Sequence, residues 1–209
     1  EVMNGSNTDR FTSEQDGNDF INTYSEKTSI SGNKTWVGVP EGTEKPSVKI
    51  ELYRNNVKTD EQDLKADGTY SFENLEKYDE NGVEYVYTVK EKMSGENAGN
   101  FTGTWKKTEK GTDFTNTYSE QINISGSKTW VGVPEGTEKP SVKIELYRNN
   151  VKTDEQDLKA DGTYSFTNLE KYDANGVEYV YTVKEVMNGS NTDRFTSEQD
   201  GNDFINTYS

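Results

Sequence analysis

The sequence predicts an all-β protein made of tandem immunoglobulin-like sandwich domains. Three observations carry that prediction: short runs of alternating side chains, turn residues between them, and a long internal repeat. Ile30–Lys90 returns as Ile124–Lys184 with three changes in 61 positions (Asn33 to Ser127, Glu73 to Thr167, Glu80 to Ala174), a register of 124 − 30 = 94 residues. A unit of that size is expected to fold around its own core, unlike the ~20–45-residue repeats of solenoids.

The elements follow in chain order. A first strand is expected over Ile30–Trp36. Ser47–Tyr53 alternates, with Val48, Ile50 and Leu52 on one face and Lys49 and Glu51 on the other. Thr69–Phe72 places Tyr70 and Phe72 together, and Glu84–Glu91 sets Tyr85, Tyr87, Val89 and Glu91 on one face. Asp113–Tyr118 is the last strand. Pro40-Glu41-Gly42, Asn55-Asn56, Asp67-Gly68 and Asn81-Gly82 mark the turns. No stretch shows a helical period, and short strands at this spacing suit an Ig-like sandwich.

Glu1–Ser25 is identical, residue for residue, to Glu185–Ser209, so it reads as the tail of a further repeat. The expected organisation is a stub at 1–25, one complete domain at 26–119 and a second at 120–209. The chain opens at Glu1 without a signal peptide and is expected to be a window cut from a longer array. Beyond Glu91 and Glu185 the copies diverge, with 116 − 91 = 25 residues to the matching Asn in one and 206 − 185 = 21 in the other.

Composition excludes much chemistry. Val, Ile, Leu and Phe sum to 37 of 209 residues, and 23 basic against 38 acidic side chains give a net charge of −15. Such a balance is usual for disordered chains, yet 8 Phe, 3 Trp and 13 Tyr argue for thin, aromatic-rich cores with stabilisation beyond burial. Without His there is no imidazole base or ligand, and without Cys no thiolate, zinc-thiolate site or disulfide. No cofactor is expected. The negative charge repels nucleic acid and anionic membranes, and no apolar run approaches the ~20 residues of a membrane span.

Alternation also exposes three polar residues on apolar faces. Lys34 shares its face with Ile30 and Trp36, Glu91 with Tyr87 and Val89, and Asn116 with Phe114 and Tyr118. The second copy repeats the pattern with Lys128, Glu185 and Asn206. Any one of these could sit at a strand end and snorkel to water; three on the first, penultimate and last strands point to one site. Burial disfavours charge, so it favours a neutral, nucleophilic amine and a protonated carboxyl. The amine would attack the Asn side-chain carbonyl, expel ammonia and leave an amide between two side chains, with Glu91 or Glu185 as catalytic acid and proton shuttle.

The segments Ser31-Gly32-Asn33-Lys34-Thr35-Trp36, Tyr87-Thr88-Val89-Lys90-Glu91 and Phe114-Thr115-Asn116-Thr117 resemble the CnaB-type repeat of Gram-positive surface proteins, over both complete domains and in the family's order. The resemblance implies an inverse-Ig sandwich and a spontaneous isopeptide bond, Lys34 to Asn116 assisted by Glu91 and Lys128 to Asn206 assisted by Glu185. It further implies spacer repeats of a cell-wall-anchored adhesin outside a Gram-positive cell, with neighbouring repeats as partners and host or matrix ligands met by other domains. The stub offers Glu1 and Asn22 but no Lys, so Asn22 is expected to stay unreacted.

Other signals weigh less. Thr59–Asp63 and Asp79–Gly82 are acidic but miss the spacing of an EF-hand, so no metal is expected. Asn33-Lys34-Thr35 and Asn100-Phe101-Thr102 match a glycosylation pattern with little weight in a bacterial protein. Thr104-Trp105-Lys106-Lys107 occurs only in the first domain and reads as a variable loop; the alternative to a spacer is an adhesive module that contacts a host or matrix ligand through a β face or this Trp105 loop. A turnover enzyme is not expected, because the Lys–Glu–Asn chemistry consumes its own residues.

Overall fold

A computed structural model describes all 209 residues. The chain is β throughout. An N-terminal hairpin of β1 (Phe11–Asp16) and β2 (Asp19–Tyr24) precedes seven strands: β3 (Lys27–Val37), β4 (Ser47–Arg54), β5 (Val57–Asp63), β6 (Thr69–Glu76), β7 (Tyr87–Ser94), β8 (Phe101–Lys107) and β9 (Thr112–Tyr118). The same seven return as β10 (Gln121–Val131), β11 (Ser141–Arg148), β12 (Val151–Asp157), β13 (Thr163–Glu170), β14 (Tyr181–Asn188), β15 (Phe195–Asp200) and β16 (Asp203–Tyr208). Two compact units result, Glu1–Val37 with Gly42–Tyr118, and Gly38–Glu41 with Ser119–Ser209.

In the first unit one sheet is ordered β6-β3-β9-β8 and the other β5-β4-β7; in the second the orders are β13-β10-β16-β15 and β12-β11-β14. The first and last strands of each domain run parallel, with Lys34 opposite Phe114 and Trp36 opposite Asn116, and with Lys128 opposite Phe204 and Trp130 opposite Asn206. The expected tandem Ig-like sandwich is what the chain forms. The Asn55-Asn56 turn joining β4 to β5 works because both residues take left-handed backbone (φ 50° and 68°), which short Asn side chains tolerate.

Eight side chains form the first core: Ile30, Val48, Ile50, Leu52, Tyr70, Phe72, Val89 and Phe114. At about 1.5–3 kcal/mol each this is a thin core for a domain that must also offset the ordering of some ninety residues. Polar bonds stitch its edge. The Tyr70 hydroxyl donates to the Thr112 carbonyl (2.7 Å) and accepts from the Thr112 N–H (3.1 Å). Gly32 lets that segment approach, since a Cβ there would stand 2.1 Å from the Thr112 carbonyl oxygen.

Several sequence expectations change. The strand expected over Glu84–Glu91 begins at Tyr87 and continues to Ser94, because Val86 is held by a turn. Its N–H donates to Asn55 Oδ1 (2.9 Å) and its carbonyl accepts from the Asn55 N–H (2.8 Å). Thr104–Lys107 is not a loop but part of β8, paired with β9, so the four extra residues of domain 1 lengthen a hairpin. The acidic run Thr59–Asp63 lies in edge strand β5, where Glu61 and Asp63 pair with lysines such as Lys58 (2.6 Å) and Lys49 (3.1 Å). Asp79 accepts the N–H groups of Asn81 (2.9 Å) and Val83 (2.8 Å), which makes it a turn cap.

The stub is the hairpin β1–β2, paired Phe11 to Tyr24 and Asp16 to Asp19 as β15–β16 pairs Phe195 to Tyr208 and Asp200 to Asp203. Phe20, however, is 45% exposed, while its twin Phe204 is 2% exposed. Arg10 ties the hairpin to the first domain through Glu26 (3.1 Å).

Candidate functional site

The structure brings the three polar residues of each domain together. β3 and β9 lie side by side and present Lys34 and Asn116 to the interior, while β7 of the facing sheet supplies Glu91. Lys34 Nζ is 2.7 Å from Glu91 Oε1, with the Lys34 side chain wholly buried and that of Glu91 8% exposed. Asn116 is fully buried and donates its amide to Met93 Sδ (2.6 Å). In the second domain Lys128 Nζ is 2.7 Å from Glu185 Oε1. There Asn206 Nδ2 donates to both Glu185 Oε1 (3.1 Å) and Met187 Sδ (2.9 Å).

The carboxyl is the one polar group within reach of each amine, Glu91 for Lys34 and Glu185 for Lys128. Beyond that contact Lys34 Nζ, Glu91 Oε1 and Lys128 Nζ have no hydrogen-bond partner, and Asn116 Oδ1 and Asn206 Oδ1 have none at all. A buried polar atom left so costs about 1–3 kcal/mol, more when charged, and such atoms in a folded core call for an explanation. Here the carboxamide oxygen without a partner belongs, in each domain, to the group whose union with the neighbouring amine would form an amide.

Burial pushes the Lys34 amine below its ordinary value, and the adjacent Glu91 only partly opposes this. Lys128 is shifted down for the same reason, against Glu185. Aromatic rings close the end of each site. Trp36 lies 4.4 Å from Lys34 Nζ and packs edge-on against Phe101, whose ring meets Tyr118. Trp130, Phe195 and Tyr208 repeat the arrangement.

In the stub, Asn22 Nδ2 donates to Glu1 Oε1 (2.6 Å) and Ser13 Oγ to Glu1 Oε2 (2.9 Å), in the open. Those two bonds hold the Glu1 carboxyl below the usual range. Two contacts escaped the reading of the sequence: Met93 and Met187 against the amide, and Ser197, whose Oγ donates to Glu185 Oε2 (2.7 Å). For the methionines the signal was present, since Met93 continues the inward face of Val89 and Glu91 by two residues. Ser197 could be found only from the pairing of β15 with β16.

Fold and site together define a tandem Ig-like sandwich with a buried amine, carboxyl and carboxamide in each domain. The Cna protein B-type domain model matches residues 30–117 and 124–207, and the chain belongs to that family. Among solved structures it is similar to two B repeat units of the collagen binding protein of Staphylococcus aureus (TM-score 0.54, 24% identity) over 97% of this chain and 55% of that one. It is also similar to a single B repeat unit of the same protein (TM-score 0.37, 26% identity) over 88% of this chain and 100% of that one. The chain thus spans about 55% of the length of the two-repeat structure. None of the curated protein sequences compared with it matches.

Proposed function

We propose that the chain is a stalk segment of a cell-wall-anchored surface protein of a Gram-positive bacterium, each complete domain stapled by a Lys–Asn isopeptide bond. The folding units of this reading are 26–119 and 120–209, with 1–25 as the tail of a preceding repeat, and the partners of each unit are its neighbours in the array. The observation that carries it is the pair of buried Lys–Glu–Asn sites, in which each amine meets only the carboxyl and each carboxamide oxygen lacks a hydrogen-bond partner. Lys34 Nζ attacks Asn116 Cγ; the C–N bond forms, the Cγ–Nδ2 bond breaks and ammonia leaves. Nζ attacks as the neutral amine once its ammonium proton has passed to Glu91; Glu91 then gives a proton to Nδ2 and takes a second from Nζ, ending as the neutral acid. The product is a neutral amide, which removes the cost of burying an ammonium. The reaction runs once per domain, so the chain is not an enzyme in the turnover sense. Near-identical copies suit a spacer, which needs length and strength more than a distinct surface in each unit.

Pulling tests this directly. A cross-link from Lys34 to Asn116 removes 116 − 34 = 82 residues from the load-bearing path. An unstapled domain would release roughly 280 Å at ~3.4 Å per residue. In single-molecule stretching from the chain ends the expected trace shows no step of that size from either domain. Steps near that length would contradict the stalk reading.

The desolvated amine has a pH signature. In Asn116→Ala, Lys34 stays a free amine whose folded-state pKa lies below its ordinary 10.5. Between those two values the unfolded chain binds more protons than the folded one, so stability rises with pH across that window. Tyr70, pushed up to about 12 by burial, titrates alike in the variant and the wild type, so it cancels from their difference. The stability gap between this variant and the wild type, from urea titrations at stepped pH, should narrow toward pH 10.5; a constant or widening gap contradicts a desolvated amine.

One observation favours a second reading, an adhesive module. Domain 1 has a groove of about 910 Å³ lined by Tyr85, Tyr87, Lys90, Trp105, Lys107 and Lys110, with Trp105 67% exposed. In domain 2, Gln199 stands in the place of Trp105 and donates to the Val183 carbonyl (3.1 Å) across the same gap. Binding of the wild-type chain, lost in Trp105→Ala, to immobilised matrix proteins, collagen among them, would favour this reading; no binding to any leaves the spacer.

A further inference from the structure

We infer that Ser197 is a positioning residue for cross-link formation in domain 2, and that domain 1 reacts without such a residue. The inference rests on the cross-link reading above and concerns how the carboxyl is aimed.

The chain supplies its own three-way comparison. On the strand beside each of the three equivalent Asn residues, the residue directly opposite is Ser13 for the unreactive Asn22, Ser197 for Asn206 and Gly103 for Asn116. Where it is Ser, its hydroxyl donates to Oε2 of the Glu, at 2.9 Å in the stub and 2.7 Å in domain 2. In both of those places the Asn amide donates to the other oxygen, Oε1, at 2.6 Å and 3.1 Å. Where it is Gly, Asn116 Nδ2 donates to Met93 Sδ instead, and Glu91 Oε1 meets only Lys34. The hydroxyl and the Glu–Asn bond occur together or not at all.

The chemistry explains why this matters. The carboxyl must take a proton from Nζ and give one to Nδ2 as the Cγ–Nδ2 bond breaks and ammonia departs. In domain 2 a single oxygen, Glu185 Oε1, lies 2.7 Å from Lys128 Nζ and 3.1 Å from Asn206 Nδ2, so it already spans both ends of that transfer. Fixing Oε2 with Ser197 stops the carboxyl from turning away. Glu91 touches Lys34 in the same way but makes no hydrogen bond with the leaving nitrogen, which donates to Met93 Sδ, so that contact must form before the transfer. The reciprocal change offers no clean test, because a Cβ on Gly103 would stand 3.0 Å from Asn116 Oδ1.

The test uses the full chain made by cell-free synthesis, quenched in acid at intervals and digested, with both cross-linked peptides quantified by mass spectrometry. Domain 1 in each molecule serves as the clock for domain 2. Ser197→Ala keeps the Cβ and removes the hydroxyl at an exposed strand position, so the domain still folds. It should slow the Lys128–Asn206 bond about tenfold relative to Lys34–Asn116, whereas Ser197→Thr should hold the wild-type ratio. An unchanged ratio in the Ala variant, or a Thr variant as slow as Ala, overturns the inference. A wild-type chain with neither cross-linked peptide overturns the underlying reading instead.

Discussion

Asn116→Ala is expected to leave a folded first domain that melts about 20 °C or more below its wild-type value. The substitution removes the acyl partner and leaves Lys34 beside Glu91, so no buried charge loses its counter-ion. What is lost is a link closing 116 − 34 = 82 residues. In the chain-entropy treatment of cross-links that is worth roughly 4.5 kcal/mol. For a domain of this size each kcal/mol moves the midpoint by about 4–8 °C. Calorimetry should show the first transition falling while that of the second domain, still stapled through Lys128 and Asn206, stays in place. A first transition unmoved by the change contradicts the staple.

The second large effect belongs to the carboxyls. Glu91→Gln keeps the shape of the side chain and ends its service as a proton shuttle, a role generally worth about 10²–10⁴ in rate. The Lys34–Asn116 bond should then form 10² or more times more slowly, while Lys128–Asn206 forms as before. Glu185→Gln should do the converse. Each variant also leaves a buried ammonium without its partner, so the unreacted domain should be less stable than Asn116→Ala, by about 3–5 kcal/mol. Time-resolved digestion and mass spectrometry reads the rate, and urea titration the stability. Normal cross-linking in Glu91→Gln would remove Glu91 from the mechanism.

Much of the fold and the heart of the site were legible from period-two alternation. Lys34, Glu91 and Asn116 stood out because each shares a face with Trp36, Val89 or Phe114, and the structure places all three inside. Alternation failed where both faces are wet. β5 is polar on each side, so its acids gave no strand signal, and their pairing with Lys49 and Lys58 of the same sheet accounts for them. It failed again at Tyr85 and Val86, whose strand-like pattern yields to hydrogen bonds with Asn55 and Lys77. The contact of Ser197 with Glu185 was illegible for a different reason. It depends on which residue of β15 faces Asn206 and on which strand of the other sheet lies beneath, and neither is a local property of the chain. Near-identity of the copies helped throughout, because it reduced two domains to one argument and made Gly103 against Ser197 visible as a difference.

The most direct measurement of the central claim is the intact mass of the purified, folded wild-type chain. The account predicts a deficit of two ammonias relative to the sequence, one from Asn116 and one from Asn206, and not three, because the stub that carries Asn22 contains no Lys. A mass equal to that of the unmodified sequence would contradict it.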